Sequence, residues 1–486
     1  MQERGNVKMM KINKKTKVVC TIGPSSSGEN VFPKMIEAGM NIVRMNFSHG
    51  SFDEHYQKVE ITREYEKKLG VIIPLMLDTK GPEIRTHNFE NGEQEYFKGD
   101  KVKIYSDHEV LGNRTQFSVT YKALYEDCKI GDEIRLDDGN VGFKVLEKLP
   151  DEHCLLTECL NNHSVKDERG VNCPDTHLNM PYISPKDEAD LVWGCETAKV
   201  DYISASFIRN KKDIEDIRNV LAAHGGKHIK IISKVENTEA IAKLDEIVKY
   251  SDGIMVARGD MGVEIPAWDV PVVQRKLIEM CRKAGKPVIT ATQMLDSMKH
   301  NPNPTRAEVS DVANAVLQGS DGVMLSAESA NGEYPVESAS MEAKISETME
   351  KYVDYKHFLE EGWTTSDHSI EDTTAYSAAS TALLGHCKLI VSFSKDGKLS
   401  RRVSRFVPAC PVINVSTNRV AATNACMAYA VYSVIENKLP VDLEGLETLA
   451  NKYALEVGVE KGSDIVIITD RREGEVSNLL KVIKVK

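Results

Sequence analysis

Two short stretches place charged side chains where an apolar run ends. Residues 229–237 read IKIISKVEN, so Lys234 and Glu236 follow the apolar run. Residues two apart in a β-strand point to the same side, and these two side chains are therefore expected to project together. A second apolar run, GIMVA (253–257), is followed by Gly259 and Asp260. If the two runs are neighbouring parallel strands, their charged ends meet at one edge of a sheet.

Glu236 and Asp260, at the ends of adjacent strands, are expected to lie close enough to share one divalent ion. Carboxylates with open water positions suit Mg²⁺ (or Mn²⁺), which favours octahedral oxygen coordination and a substrate phosphate. Lys234 beside this metal is expected to neutralise charge on a phosphoryl group rather than to pair with the glutamate. The alternative is that each carboxylate simply pairs with a neighbouring Lys or Arg.

A second polar cluster follows two earlier apolar runs. It combines neutral oxygens with one carboxylate, a set that suits a monovalent cation, although polar rim residues are also common without any ion. Its members are Asn46, Ser48, Asp78 and Thr79.

The elements that must position these residues are eight short β-branched runs that alternate with amphipathic helical stretches. Eight such units predict a (β/α)₈ barrel, which takes about 250 residues and builds its site at the C-terminal ends of the strands. A doubly wound open sheet is the alternative. The runs are KVVCTI (17–22), NIVRMNF (41–47), VIIPLML (71–77), DYISASFI (201–208), IKIIS (229–233), GIMVA (253–257), PVITA (287–291) and GVMLSA (322–327).

A long turn-rich segment separates the third run from the fourth. Its Gly-Asp and Asp-Gly turns predict a small all-β domain inserted after strand three, where it lies over the barrel mouth as a lid. After the barrel, four more apolar runs predict a separate C-terminal α/β domain. The predicted divisions are an N-terminal extension (1–15), the first part of the barrel (16–82), the lid (83–180), the second part of the barrel (181–356) and the C-terminal domain (357–486).

Composition excludes several classes of protein. The net charge of −11 argues against general nucleic-acid binding, which needs a basic face. No apolar stretch approaches the length of a membrane span, and the ten cysteines contain no CxxC pair. We therefore expect a soluble cytoplasmic protein with reduced thiols. Walker A, GxGxxG and GxSxG motifs are absent, so a nucleotide must be held by the barrel mouth and the lid.

The order of several long motifs resembles that of the pyruvate kinase family, from about residue 16 to 340. The C-terminal stretch LSRRVSRFVPACPVINVST is similar to the last domain of that family. The resemblance implies phosphoryl transfer from phosphoenolpyruvate to ADP to give pyruvate and ATP, the last step of glycolysis. It also implies Mg²⁺, K⁺ and a homotetramer. The motifs are KVVCTIGPSS, AGMNIVRMNFSHG, LDTKGPEIRT, SKVEN, MVARGDMGVEIP, ITATQMLDSM, NPTRAEVSDVANAV and DGVMLSAES.

Carried over by position, the resemblance implies a role for each matching residue. Lys234, Thr292 and Arg44 are catalytic: the lysine stabilises the transferring phosphoryl group, the threonine lies near the carbon that is protonated, and the arginine contacts the phosphate. Gly259 and Asp260 complete the substrate contacts. The metal ligands are Glu236 and Asp260 for Mg²⁺, and Asn46, Ser48, Asp78 and Thr79 for K⁺. The nucleotide contacts are Asn46, His49, Arg85 and Arg169.

The sequence departs from the family pattern in the lid and in the last domain. Arg169, in ERGVNCP, replaces the usual lysine, which leaves Lys166 as a competing nucleotide contact. Glu83 occupies the position where glutamate accompanies K⁺ dependence. A sugar-phosphate effector is implied at SFSKDGKLSRR, with basic residues and an expected helix N-terminus in TDRREGEVSNLLKVIKV as further anion contacts. A solvated charged loop is the alternative there.

Two other functions remain open from the residues alone. One is a different Mg²⁺-dependent barrel enzyme that acts on an enolate of a small oxo-acid, which would need neither Arg85 nor the lid. The other is a catalytically silent sensor that binds metabolites through the C-terminal domain. The intact set of charged residues at the barrel mouth argues against a silent protein.

Overall fold

The computed structural model describes residues 12–174, 176–470 and 479–486. Residues 1–11 of the predicted N-terminal extension, Asp175 of the altered lid motif and residues 471–478 of the second effector segment lie outside the described residues.

The strands fall into three groups along the chain. Three barrel strands come first, then the strands of the inserted domain, then five more barrel strands and the strands of the C-terminal domain. Their bounds are β1 (Lys17–Thr21), β2 (Ile42–Asn46), β3 (Leu75–Asp78), β4 (Ile84–Arg85), β5 (Glu93–Tyr96), β6 (Lys101–Tyr105), β7 (Gln116–Ser118), β8 (Glu133–Leu136), β9 (Val141–Leu149), β10 (Cys154–Cys159), β11 (His163–Lys166), β12 (Gly170–Asn172), β13 (Tyr202–Ala205), β14 (Lys230–Val235), β15 (Gly253–Ala257), β16 (Val288–Ala291), β17 (Gly322–Leu325), β18 (Ile390–Phe393), β19 (Val412–Ser416), β20 (Val431–Ile435), β21 (Asp464–Thr469) and β22 (Leu480–Lys484).

Helices connect most of the parallel strands. Their bounds are α1 (Phe32–Glu37), α2 (Phe52–Leu69), α3 (Leu124–Asp127), α4 (Pro185–Trp193), α5 (Lys211–Ala223), α6 (Thr238–Ala242), α7 (Leu244–Tyr250), α8 (Arg258–Glu264), α9 (Val270–Lys283), α10 (Arg306–Gln318), α11 (Ala327–Ala330), α12 (Pro335–Met349), α13 (Tyr355–Thr364), α14 (Ile370–Leu384), α15 (Lys398–Arg405), α16 (Arg419–Cys426) and α17 (Leu443–Glu456). Two 3₁₀ turns (Glu90–Gly92 and Asp296–Lys299) and a π-helical turn (Gly194–Ala198) complete the set.

Eight parallel strands close into a barrel in the order β1-β17-β16-β15-β14-β13-β3-β2. The predicted barrel is therefore confirmed, and the alternative of an open sheet is wrong. Each of the eight apolar runs supplies one strand. The third strand begins at Leu75 rather than at the start of its run, directly after Pro74, which has no N–H to donate to a ladder. The fifth extends to Val235, so Lys234 belongs to the strand itself.

Side chains of the barrel strands alternate between two apolar layers, as the strand period of two requires. Val18 and Cys20 pack outward against the helices, whereas Val19 points into the barrel interior. The interior cluster contains Met76, Met255 and other strand residues, and it is closed at one end by Met427 of the C-terminal domain. A packed interior leaves the strand ends as the place for chemistry.

The segment between β3 and β13 forms the predicted all-β insertion. Its main sheet has the order β4-β12-β8-β9-β10-β6-β7, and β11 pairs with β5 in a second small sheet. Edge-to-face aromatic contacts hold its core, with Tyr96 and Phe143 ring centroids 5.2 Å apart. The insertion contacts α8 at the barrel mouth, where Asn172 Nδ2 donates to Glu264 Oε1 at 2.9 Å.

The C-terminal sheet has the order β20-β19-β18-β21-β22. The four predicted runs supply β18 to β21, which are parallel, while β22 is an antiparallel edge strand. The expectation of a helix N-terminus in the last effector segment is wrong for its described part, because residues 480–484 form β22. Among the described residues, no helix combines the length and apolar character that a membrane span requires.

Candidate active site

Lys234 lies near the C-terminal end of β14 with only 8% of its surface exposed. Its Nζ lies 2.9 Å from Glu236 Oε1 and 3.4 Å from Asp78 Oδ1, and it donates to Ser206 Oγ at 2.9 Å. Burial disfavours the ammonium, but the two carboxylates outweigh it and raise the pKa of Lys234. The expectation that this lysine does not pair with the glutamate is wrong.

Glu236 is fully buried directly after the same strand. Its Oε2 accepts the Phe207 backbone N–H at 2.5 Å, while Oε1 accepts no hydrogen bond from any described residue despite the nearby ammonium. Burial, with the charge of Asp260 adding to it, raises the pKa of Glu236 to about 7. An incompletely satisfied buried carboxylate beside a second carboxylate is a donor set that fits a divalent cation.

Asp260 lies in the first turn of α8 and is half-buried. In the described part of the chain, no group of three or more His, Cys, Asp or Glu side chains is arranged to hold a metal ion. Two carboxylates alone leave most of an octahedral shell open to water and to a substrate phosphate, which is how Mg²⁺ is commonly bound.

Arg44 and Asp78 form the second half of the buried charge cluster. Arg44 Nε lies 2.7 Å from Asp78 Oδ2, and Arg44 Nη1 donates to Thr21 Oγ1 at 2.7 Å. Burial opposes ionisation of Asp78, but the charges of Arg44 and Lys234 outweigh it and lower the pKa of this carboxyl. Two cations thus converge on one carboxylate at the barrel mouth.

The predicted K⁺ ligands gather beside this cluster at the ends of β2 and β3. Asn46 Oδ1 accepts the Ser48 N–H at 3.1 Å. Thr79 Oγ1 accepts the Ser206 N–H at 3.2 Å, and the Thr79 carbonyl accepts the Ser206 hydroxyl at 2.6 Å. Neutral oxygens with one carboxylate have the donor chemistry that an alkali cation prefers. The exposed side of the same loop carries His49, whose carbonyl oxygen lies 3.0 Å from His55 Nε2.

Thr292 follows the last residue of β16 with φ of +68°, and the next residue, Gln293, has φ of +52°. A left-handed conformation is unfavourable for a β-branched side chain and costs about 1–3 kcal/mol. Thr292 Oγ1 accepts the Gly259 N–H at 2.7 Å and donates to the Ala291 carbonyl at 2.6 Å. The two predicted substrate contacts, Gly259 and Thr292, are thus in direct contact.

Arg85 and Arg169 lie where β4 pairs with β12 in the lid. Arg85 Nη2 lies 2.7 Å from Glu83 Oε1, and Arg85 is paired in register with Gly170 on β12. Arg169 Nε lies 3.5 Å from Asp137 Oδ1 and makes no hydrogen bond to any described residue. Lys166 is exposed on the separate β11–β5 ladder. Arg169 lies close enough to Asp138, a residue that lines the cleft between lid and barrel, for its charge to oppose the rise in the pKa of that carboxyl, and the choice between Arg169 and Lys166 stays a prediction.

Two contributors to the site carry no sequence signal of their own. The Phe207 backbone, at φ of +54°, donates to Glu236, and a backbone donor cannot be read from residue type. Asp138 of the lid lines the same cleft as Asp260, and burial and then the charge of Asp260 raise its pKa. From the sequence, the Asp-Asp-Gly segment that contains it predicts only a turn.

Comparisons with known proteins agree on one family. The models for the pyruvate kinase barrel domain and for the pyruvate kinase alpha/beta domain match residues 13–339 and 372–483. The chain belongs to the pyruvate kinase family. Membership makes it an enzyme, and it disfavours both the barrel enzyme of another reaction and the silent sensor.

Individual members of the family match nearly the whole chain. A pyruvate kinase of Bacillus licheniformis is 42% identical over 471 residues, which cover 96% of this chain and 80% of that protein. A pyruvate kinase of Clostridium acetobutylicum is 41% identical, and the match covers 97% of this chain and 99% of that protein. The crystal structure of a pyruvate kinase from Cryptosporidium parvum superposes with a TM-score of 0.91 at 34% identity, covering 98% of this chain and 97% of that one.

Proposed function

We propose that this enzyme transfers the phosphoryl group of phosphoenolpyruvate to ADP and then protonates the enolate to give pyruvate. The observation that carries the proposal is the burial of Lys234 between Asp78 and Glu236, with Arg44 on the far side of Asp78. A lysine held charged by two carboxylates inside a barrel mouth supplies positive charge that needs no reorganisation when the phosphoryl group moves.

The other residues of the site are proposed to bind the substrate, the divalent metal and K⁺. Arg44 contacts the phosphate and, with Lys234, orients it for in-line transfer. Glu236 and Asp260 would hold Mg²⁺ (or Mn²⁺), which neutralises phosphate and carboxylate charge when it is bound. Gly259 and Thr292 lie beside the substrate, with the threonine near the carbon that takes the proton. Asn46, Ser48, Asp78 and Thr79 would hold K⁺.

The nucleotide is proposed to lie in the cleft under the lid. Arg85 on β4 and Arg169, the residue before β12, are chain neighbours of Ile84 and Gly170, which line this cleft, and both side chains suit bidentate recognition of phosphate oxygens. Asn46 and His49 complete the contacts from the loop after β2. Closure of the lid over the mouth would exclude water during transfer and thereby prevent hydrolysis of the phosphoryl group.

Beyond the site, we propose a cytoplasmic homotetramer with the domain divisions given above. Trp268 and Val272 support self-association, since they are 78% and 65% exposed beside the start of α9. A phosphorylated effector at the loop of Ser394, Lys395, Gly397 and Lys398 stays a prediction. The Ser394 hydroxyl and the Lys395 N–H of this loop already donate to Asp470 Oδ2, at 2.9 and 3.0 Å.

The test is a reconstitution with purified full-length chain. Phosphoenolpyruvate, ADP, Mg²⁺ and K⁺ are mixed with the protein, and ATP and pyruvate are quantified separately. Equal amounts of the two products are expected. Pyruvate without ATP would indicate a phosphatase, and the absence of both products would contradict the proposal.

A further inference from the structure

Thr292 is held in its left-handed conformation by a side chain from the neighbouring strand end. Arg258 Nη2 donates to the Thr292 carbonyl at 2.7 Å, and Arg258 Nε donates to the Ala291 carbonyl at 3.3 Å. Nε and Nη2 of one guanidinium thus donate to consecutive carbonyls at the end of β16. The backbone N–H of Gly259, the next residue in the chain, holds the Thr292 hydroxyl.

The Arg258 side chain is itself held by hydrogen bonds to two helices. Its Nη1 donates to Asp311 Oδ1 of α10 at 2.7 Å and to Gln274 Oε1 of α9 at 3.4 Å. Only 11% of the arginine side chain is exposed. The arginine therefore joins two helices to the loop after β16. A lysine would present a point charge that cannot bond both carbonyls and Asp311 in one plane.

The hydrogen bonds from Arg258 determine where the Thr292 hydroxyl oxygen lies. Left-handed backbone at Thr292 places Oγ1 within 2.7 Å of the Gly259 N–H. Without these hydrogen bonds, a β-branched residue relaxes toward negative φ. Its side chain then turns away from the neighbouring strand end. We propose that Arg258 is a positioning residue that directs Thr292 Oγ1 for protonation of the enolate. This inference rests on the proposed function.

The step that Arg258 serves is a proton transfer. The carbon–carbon double bond of the enolate supplies the electron pair for the new C–H bond, and the enolate oxygen becomes the ketone oxygen of pyruvate. The proton comes from the Thr292 hydroxyl or from a water that this hydroxyl holds, and solvent replaces it. In reverse, the same arrangement removes a methyl proton from pyruvate, so the step can be followed without net turnover.

The experiment measures that reverse step directly. Full-length protein is incubated with pyruvate, ATP, Mg²⁺ and K⁺ in D₂O, and loss of the methyl proton signal is followed by NMR. Arg258→Lys is compared with Arg282→Lys, whose arginine is equally buried at 13% side-chain exposure but bonds the Gln318 carbonyl and Glu361 instead. The Tm of each variant and the KM and kcat for phosphoenolpyruvate are measured in parallel.

Arg258→Lys is expected to lower the exchange rate and kcat by about tenfold or more, with KM for phosphoenolpyruvate changed less than about threefold. Arg282→Lys should lower Tm without changing exchange. Wild-type exchange in a folded Arg258→Lys protein would overturn the inference, as would a rise in KM at unchanged kcat. If Arg258→Lys does not fold, the second variant is Asp311→Asn, because the Asp311 side chain is 35% exposed. Proton exchange about threefold slower than in the wild type is expected for this variant. An unchanged exchange rate would overturn the inference. A wild-type protein that makes no ATP would instead contradict the proposed function.

Discussion

Lys234 Nζ lies 2.9 Å from Oε1 of Glu236, and both side chains are almost completely buried. The same glutamate oxygen therefore faces the lysine in the protein alone and would face a divalent cation in the proposed complex. A metal at this oxygen would take the place of the ammonium, and Lys234 would then be free to contact a phosphoryl oxygen. In the proposed complex the pairing would couple the binding of metal to the binding of phosphate, because neither buried charge would be left without a partner.

Lys234→Met should lower kcat by about 10²–10³-fold, because it removes one preorganised charge from the transferring phosphoryl group. The fold should survive, since Asp78 keeps Arg44 and Glu236 can take up a proton. Steady-state assays with phosphoenolpyruvate and ADP, together with circular dichroism, measure both effects. The matched control is Lys230→Met at the other end of the same strand, which should keep full activity. A Lys234→Met enzyme as active as this control would refute the role of the lysine.

Glu236→Gln should weaken Mn²⁺ binding at the active site by at least about tenfold, because an amide oxygen replaces a carboxylate ligand. Calorimetric titration of the ligand-free protein with Mn²⁺ measures the affinity. Glu215→Gln is the control, since Glu215 is 48% exposed on α5 and pairs with Lys211. Equal affinities of the Glu236→Gln and control proteins would show that Glu236 is not a metal ligand.

The sequence was sufficient for the barrel and for the residue types at its mouth, because strand period and apolar runs are local signals. It was not sufficient to predict which charged side chains contact each other. Lys234 and Glu236 were expected to point the same way, and they do, but nothing in the spacing shows that the ammonium contacts the carboxylate. That contact depends on Asp78 and Ser206, which come from two other strands. The sequence does not predict strand β22, because its apolar run is short and follows a charged segment. The strand pairs with β21 alone, at the edge of the sheet.

Backbone hydrogen-bonding groups are the second class of contact that the sequence does not reveal. The Phe207 N–H donates to Glu236, and the Thr292 carbonyl accepts from Arg258, and both backbone groups belong to left-handed residues after a strand. Neither Phe nor Thr favours that conformation, so propensity predicts the opposite. Tertiary contacts override it at the site itself, where strain is most often tolerated.

Exchange of K⁺ for tetramethylammonium should lower kcat by about tenfold or more, since the large ion cannot fit among Asn46, Ser48, Asp78 and Thr79. Glu83→Lys should reduce this dependence by placing a side-chain ammonium near the cleft, where Glu83 now pairs with Arg85 at 2.7 Å. The measurement is kcat at constant ionic strength with each cation. Indifference of the wild-type enzyme to K⁺ would contradict the prediction for Glu83 and for the cation site together.

Arg169→Met should raise KM for ADP by about tenfold, because it removes a lid cation beside the nucleotide cleft. KM for phosphoenolpyruvate should change little, since the arginine lies on the lid. Lys166→Met is the matched control, as it removes one positive charge three residues away on the exposed β11. If Lys166→Met has the larger effect on KM for ADP, the lid contact has been assigned to the wrong residue.

Lys17 provides a test of buried charge far from the site. Its Nζ donates to the Val431 carbonyl at 2.5 Å and lies 3.6 Å above the Tyr432 ring centroid. Burial, with the charge of Lys14 adding to it, lowers the pKa of Lys17 to about 7. The unfolded chain, with a pKa near 10.5, therefore binds more protons between these two values, and stability rises with pH across that window.

Replacement of Lys17 removes this dependence, so the Tm of the wild type relative to Lys17→Met should increase from pH 7 to pH 10. The corresponding change in the free energy of unfolding is on the order of 3 kcal/mol. Lys15→Met is the control, because the Lys15 pKa is raised: burial opposes its charge, but Glu350, at 3.1 Å, outweighs it. A raised pKa contributes stability that is fully present below pH 10.5 and so adds no slope from pH 7 to pH 10. A Tm difference between wild type and Lys17→Met that stays constant over this range would show that Lys17 remains an ammonium in the folded protein.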